Sequence, residues 1–234
     1  MWNDYFYQLQ KKYNMRVSTK TPLVIRLDGK DVTKDKTINF IYKYSGSFFE
    51  AFEQCAWYFS KKYNCYALFG TDEISFVFPK PMLLIEDLDS DKVNHSNEII
   101  ALFMQYFFDY FNSYYKNGKI FFHGKCFSIP EGKIMSYIKY RGESIKNVLT
   151  TYILKKNGIK MGNNKIEERV AKCKETNLYK EIKDIEFGTL YFNGEMLDVQ
   201  EFLKGNKVVL DNKNESADNN NALDDDFEIE FVDF

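Results

Sequence analysis

The chain has 234 residues, 44% of them hydrophobic and 18% aromatic, with a formal net charge of −2; that is enough for one well-packed core and a small appendage. No apolar run reaches the roughly 18 residues of a membrane-spanning helix, and the start, Met1-Trp2-Asn3-Asp4-Tyr5, lacks the basic-then-apolar order of a signal peptide. Four cysteines (Cys55, Cys65, Cys126, Cys173) without CxxC spacing argue against structural zinc and predict reduced, buried thiols in a cytoplasmic protein.

Along the chain, residues 1–16 place Phe6, Leu9 and Tyr13 at helical spacing. Pro22 precedes Leu23-Val24-Ile25-Arg26-Leu27, a run too apolar for a one-sided strand and therefore central in a sheet, and Asp28 follows it. Gly29 comes next, where the backbone can turn closely about a ligand. A helix is predicted up to Tyr63, with Phe48, Phe52, Cys55, Ala56 and Phe59 on its apolar face. Residues 66–69 and 74–78 are aromatic and β-branched runs joined by a tight polar turn, the pattern of a hairpin. That turn carries adjacent carboxylates, Asp72 and Glu73.

Residues 82–94 read as an acidic surface segment, and 96–115 as a helix with Ile99, Phe103, Phe107 and Phe111 inward. A further strand is predicted over 119–129. Beyond Pro130 the pattern is helical over 134–140, 144–156 and 165–176, with a strand-like run at 187–192. Residues 211–234 hold nine acids and one base, a sum of −8, which leaves +6 on the remaining 210 residues. A basic body suits a phosphate-rich partner. The division predicted is a body over 1–210 and an acidic, disordered tail over 211–234.

The order strand, helix, strand, strand, helix, strand is the split βαβ pattern of an α+β, ferredoxin-like fold (βαββαβ) with a C-terminal helical extension. Its first and third strands are central neighbours, so Asp28 and Asp72 are expected to converge at one sheet edge. Converging hard oxygens suit magnesium, and two ions roughly 3.5–4 Å apart suit phosphoryl transfer. Asp28 and Asp72 would bridge them, with the Gly29 carbonyl as a further ligand. Glu73 directly follows Asp72 and is expected to orient neighbours, not to bridge. His123 reads as a packed strand residue and Arg141 as a surface cation.

Val24-Ile25-Arg26-Leu27-Asp28-Gly29-Lys30, together with Gly70-Thr71-Asp72-Glu73-Ile74-Ser75-Phe76-Val77-Phe78, resembles the tRNA-histidine guanylyltransferase family and its relatives. Phe122-His123-Gly124-Lys125 and Phe187-Gly188-Thr189-Leu190 are similar to later motifs of that family. The resemblance implies a polymerase-like palm that adds nucleotides to the 5′ end of tRNA in the 3′–5′ direction. It implies Mg2+ (two ions) at Asp28, Gly29 and Asp72, with Glu73 in the catalytic set. GTP and ATP would be substrates, held by Gly29, Lys30, Asp31, Val32, Thr33, Lys43 and Thr71. A homo-oligomer, dimer or tetramer, is implied as well. Two departures, His123 for the family's Asp and Ser144-Ile145-Lys146-Asn147-Val148-Leu149-Thr150-Thr151 for its "HINNLYNT" helix, favour templated 5′ repair over dedicated histidine-tRNA guanylylation. The rivals are a palm-type nucleotidyl cyclase or oligonucleotide synthase, and an inactive palm serving as an RNA-binding subunit.

Overall fold

A computed structural model describes residues 17, 18, 20–30, 32, 40, 47–87, 96–116, 120–160 and 165–205. The expected first helix, the 211–234 tail, Asp31, Thr33 and Lys43 lie outside the described residues. The elements in chain order are β1 (Leu23–Gly29), α1 (Ser47–Tyr63), β2 (Tyr66–Gly70), β3 (Glu73–Phe78), α2 (Met82–Asp87), α3 (Ser96–Tyr114), β4 (Phe122–Ser128), α4 (Ile134–Lys156), α5 (Ile166–Glu175), β5 (Thr189–Phe192), β6 (Glu195–Leu197) and α6 (Val199–Leu203). Two short 3-10 turns, Leu178–Glu181 and Lys183–Ile185, precede β5.

The strands form one six-stranded sheet in the order β4-β1-β3-β2-β5-β6, every neighbouring pair antiparallel. β1 and β3 are therefore neighbours, with Val24 opposite Val77, Arg26 opposite Ser75 and Asp28 opposite Glu73. Side chains alternate across a strand, so these registered pairs share one face and Leu23, Ile25 and Leu27 the other.

The two faces are different materials. Leu23, Ile25, Leu27, Ile74, Phe76 and Phe78 meet α1 and α3 in the main core. The packing there is ring on ring, with centroids of Phe59 and Phe103 5.2 Å apart, Phe52 and Phe111 5.4 Å, and Phe107 and Phe122 5.1 Å. Such tilted and edge-to-face pairs add to the gain from burial. Gly124 of β4 lets α3 approach this closely, since a Cβ there would stand 2.4 Å from Ile100 Cδ1. The opposite face is covered by α4. Its Tyr137 packs with Val24, Val77 and Phe127 in a second, smaller cluster, and its Ile145 lies against Gly70.

Two expectations from the sequence are corrected. Residues 134–156 form one 23-residue helix, because Tyr137, Arg141, Ile145 and Leu149 make a continuous buried stripe at four-residue spacing across Gly142. The missing side chain of Gly142 is filled by Phe187, 3.3 Å from where a Cβ would be. Residues 82–87 are helical, with Leu84 and Ile85 buried. The strand-like run expected at 187–192 contains β5, which pairs with β2 and turns through Asn193 (φ 51°) and Gly194 (φ 78°) into β6. Asn-Gly with both φ positive is the turn chemistry of a two-residue hairpin. The four cysteines are free and buried, as the sequence suggested.

Gly188 tests whether β5 belongs to the body. Its φ is +82°, and a Cβ would lie 2.5 Å from the Phe69 carbonyl oxygen and 2.8 Å from Ile145 Cδ1. Gly188→Ala should cost about 2–4 kcal/mol through combined strain and overpacking, lowering Tm by roughly 5–12 °C. Gly132→Ala is the control, with φ +76° but nothing within 4 Å. Equal melting curves for the two variants would refute the described packing of β5.

Candidate active site

The site forms where β1 ends beside the β2–β3 turn. The turn is two residues, Thr71 and Asp72, between the paired Gly70 and Glu73. Thr71 has φ 59°, the sign that I′ and II′ hairpin turns demand at their first central position. A β-branched residue adopts that conformation at a cost, and Thr71 is buried there at 2% exposure. The Gly29 N–H donates to the Asp72 carbonyl at 2.7 Å, and the Lys30 N–H to the Phe121 carbonyl at 2.7 Å. Those two bonds fasten three strand ends together. Gly29 has no room for a side chain, since a Cβ would stand 2.5 Å from Val32 Cγ2 and 3.3 Å from the Asp72 carbonyl.

Behind the turn lies a chain of charges. Arg26 is two residues before Asp28 on β1 and so shares its face. Its Nη2 donates to Asp28 Oδ2 at 2.6 Å and to Glu73 Oε2 at 2.9 Å, and its Nε donates to Glu73 Oε2 at 3.2 Å. Arg141 reaches down from α4, its Nε donating to Glu73 Oε1 at 2.9 Å and its Nη2 to Glu73 Oε2. Beneath it, the hydroxyls of Ser75 and Tyr137 lie 3.2 Å apart. Glu73 thus sits between two guanidiniums, with its side chain 9% exposed and that of Arg141 4%.

Burial by itself would raise the Glu73 carboxyl, but Arg141 and Arg26 outweigh it and hold its pKa below the ordinary value. Asp28 goes the other way. Its burial outweighs the pull of Arg26, and Glu73 adds repulsion. Asp72 is pushed up to about 6, first by burial and then by the charge of Asp28. With every group ionised, the three acids exceed the two arginines by one negative charge, and that surplus lies on the Asp28–Asp72 side.

The expected residues are distributed as follows. Asp28, Gly29, Asp72 and Glu73 are brought together. Glu73 occupies two arginines, in keeping with an orienting role; it shares the face of Asp28, because Asp72 is a turn residue and does not count in the strand alternation. Lys30 is exposed at the rim, Val32 is buried beneath Gly29, and Thr71 is buried in the turn. Two readings are corrected. Arg141 is buried at 4% exposure and is no surface cation. His123 is exposed, opposite Asp28 in the β1–β4 register, because β4 is the edge strand and α3 covers only its other face. Arg26 was not singled out by the sequence reading, although a cation inside an apolar strand, in phase with Asp28, was its signal. Beside the turn, Phe40, Phe49, Phe69, Thr71, Gly188 and Thr189 line a small, mostly apolar pocket.

No protein-family model and no curated protein matches the chain. Solved structures do. A bacterial tRNA(His) guanylyltransferase-like protein in complex with GTP superposes with a TM-score of 0.56 at 16% identity, over 81% of this chain and 83% of that one. The same description in complex with ATP gives 0.55 at 15%, over 82% and 84%. The tRNA(His) guanylyltransferase from Saccharomyces cerevisiae gives 0.54 at 16%, over 82% and 93%. At this identity the agreement establishes a shared fold.

The raised Asp72 makes a pH prediction for the metal-free protein, measured in chelator. Its folded pKa of about 6 exceeds the ordinary 3.8, so the native state holds this proton more tightly than the unfolded state does. Its contribution favours folding at low pH and is lost as pH rises through about 6. Asp72→Asn, which cannot ionise, should raise Tm at pH 7.5 by several degrees, and the gain should fade as pH approaches 4. A gain independent of pH would show that the charge of Asp72 is not what strains the turn.

Proposed function

We propose that this protein is a nucleotidyltransferase with a ferredoxin-like polymerase palm that extends the 5′ end of tRNA, using nucleoside triphosphates. The observation that carries the reading is the meeting of Asp28 and Asp72, from separate strand ends joined by the 2.7 Å Gly29–Asp72 bond, on a fold shared with proteins described as tRNA(His) guanylyltransferases. Two of those structures are described as complexes with GTP and with ATP, which supports GTP and ATP as substrates here. The two motif departures favour templated repair of a 5′ end.

The donor set fits magnesium. Among the described residues no three His, Cys, Asp or Glu side chains are so placed that together they could hold a metal ion. Magnesium does not need such a set, since it is commonly held by one or two carboxylates, with water and substrate phosphate completing the octahedron. Asp28, Asp72 and the Gly29 carbonyl would hold the metal, and the surplus negative charge on their side of the site would attract it. When bound, it would supply charge stabilisation for a phosphoryl group in displacement.

The chain's own groups do the rest. Lys30 stands exposed at the mouth, where a point charge can neutralise triphosphate oxygens without the bidentate geometry of arginine. Asp31, Thr33 and Lys43 are proposed to complete the triphosphate contacts with Val32 and Thr71. Thr71 fixes where the Asp72 carboxylate stands. Glu73 is buried and acts by holding Arg26. In the reaction, a 5′-monophosphate is first activated by a triphosphate with release of pyrophosphate. The 3′-hydroxyl of the incoming nucleotide then displaces the activating nucleoside monophosphate (AMP where ATP activated), or pyrophosphate where the 5′ end already carries a triphosphate. Base choice would come from pairing with the opposing strand, the protein gripping only backbone. A cytoplasmic location and a homo-oligomer, dimer or tetramer, belong to the same proposal; no helix among the described residues is long and apolar enough to cross a membrane.

The test is 5′-truncated tRNA, labelled and incubated with each triphosphate. The product should lengthen at its 5′ end by the base complementary to the opposing strand, with activity falling steeply as salt displaces phosphate contacts. Asp28→Ala and Asp72→Ala should each abolish turnover while the chain stays folded. Near-native turnover in either variant would sink the paired-carboxylate site. Cyclic or short oligonucleotide products formed at a rate indifferent to tRNA would replace this reading with a cyclase.

Lys30→Ala should raise the apparent KM for triphosphate with little change in Tm, since one charge-assisted contact contributes about 1.5–3 kcal/mol. An unchanged KM would place the phosphates elsewhere.

A further inference from the structure

Arg141 lies on α4, outside every motif quoted for the site, yet its guanidinium forks onto Glu73 from the side opposite Arg26. Glu73 Oε1 is taken by Arg141 Nε at 2.9 Å. Arg26 meets Oε2, and its Nη2 lies between that oxygen and Asp28 Oδ2. The 2.6 Å contact with Asp28 is the shorter of the two. Arg26 is thus shared between a buried carboxylate and a half-exposed one, whose side chain is 40% exposed. Which of them holds it more strongly depends on how completely Arg141 satisfies Glu73.

We propose that Arg141 is a positioning residue that, by occupying Glu73, keeps Arg26 on Asp28 and so sets how readily the Asp28–Asp72 pair accepts a divalent cation. This rests on the reading of Asp28 and Asp72 as the metal-holding pair. The physical basis is the cost of a buried, incompletely paired carboxylate. If Arg141 loses its fork, Glu73 draws the guanidinium of Arg26 fully onto itself, and Asp28 Oδ2 is released. A released Asp28 has lost a resident positive charge and competes better for a cation. It has also lost what fixed its rotamer. The expected signature is tighter metal binding together with slower chemistry.

Removing a charge outright would shift cation affinity by simple Coulomb attraction, so the decisive variants keep the net charge. Arg141→Lys retains the cation but, as a compact ammonium, cannot grip both oxygens of Glu73. Arg26→Lys likewise cannot serve Glu73 and Asp28 at once. Mn2+ binding is titrated by electron paramagnetic resonance on the full chain without nucleotide or RNA, with thermal unfolding of each variant alongside. Wild type should bind Mn2+, and Asp28→Ala should abolish that binding. Arg141→Lys should lower the Mn2+ Kd roughly fivefold or more, the size of coupling expected within one ion-pair network. Its kcat should fall while the KM for triphosphate stays near wild type. Arg26→Lys should shift Kd in the same direction, which keeps the test available if Arg141→Lys does not fold.

Unchanged Kd in the charge-conserving variants, with Asp28-dependent binding in wild type, overturns the proposal and leaves Arg141 as a structural clamp. If wild type binds no Mn2+, or binds it independently of Asp28, the metal-holding reading of the pair fails and the proposal fails with it. The two failures are thus told apart by the wild-type titration.

Discussion

A carboxylate from which water is excluded must either find positive charge or give up its own, and Glu73 finds two guanidiniums. Burial alone would push its proton affinity up, but Arg141 and Arg26 outweigh it and hold it below the ordinary value. The arrangement is expensive to break, because removing one partner of a buried pair strands the other, at about 3–5 kcal/mol. It is also directional. Arg26 comes from the strand that carries Asp28, and Arg141 from the helix that roofs the face. The ion pairs therefore fix the helix over the sheet at the level of the site, while Tyr137 with Val24, Val77 and Phe127 fixes it one turn away through apolar contact.

The division of labour between the two sheet faces follows from this. The aromatic face is dry and held by ring packing, which is insensitive to protonation. The other face is apolar at Val24, Val77 and Phe127 and becomes charged at Arg26, Asp28 and Glu73 as the strands approach their ends. Polarity rises along the same strands, in step with the register. A slip of one residue between β1 and β3 would move Asp28, Arg26 and Val24 into the aromatic core, so the packing of Ile25 and Phe76 enforces the geometry of the carboxylates. Site and core are specified by one alignment.

Much of this was legible in the sequence. Leu23-Val24-Ile25 and Ile74-Ser75-Phe76-Val77-Phe78 declare strands, and the short link 70–73 leaves a hairpin as its only economical solution, so the approach of Asp28 to Asp72 needed only adjacent β1 and β3. What escaped has physical reasons. Arg141 on a helix reads as solvated because helical periodicity counts apolar residues, and a buried cation falls in the stripe without adding to it. Asn193-Gly194 carries a strong hairpin signal, but the second strand, Glu195–Leu197, has only three residues and is too short to declare itself. The break expected at 141–143 contains Gly142, whose modest propensity cost is overridden by tertiary packing against Phe187. His123 was assigned to the interior because strand residues near apolar neighbours usually are; only the strand order shows that β4 is at the edge.

Asp72 owes its aim to its position in the turn. A strand residue is bound to one face by alternation, whereas a turn residue is aimed by the turn's own dihedrals and by whatever holds its backbone. Here the Asp72 carbonyl is held by Gly29 N–H, and Thr71 takes the positive φ that the chain reversal requires. The carboxylate is thereby placed beside Asp28, with hydrogen bonds from Thr71 and its own backbone N–H, although strand alternation does not direct it there, and among the described residues no arginine pairs with it. Three adjacent acids thus divide into a buried one that is paired with two arginines, a rim acid that shares one of them, and a turn acid held by hydrogen bonds from its own backbone N–H and from Thr71. That gradient of compensation, from Glu73 through Asp28 to Asp72, leaves the negative surplus at the mouth of the site, where a cation and a phosphate could reach it.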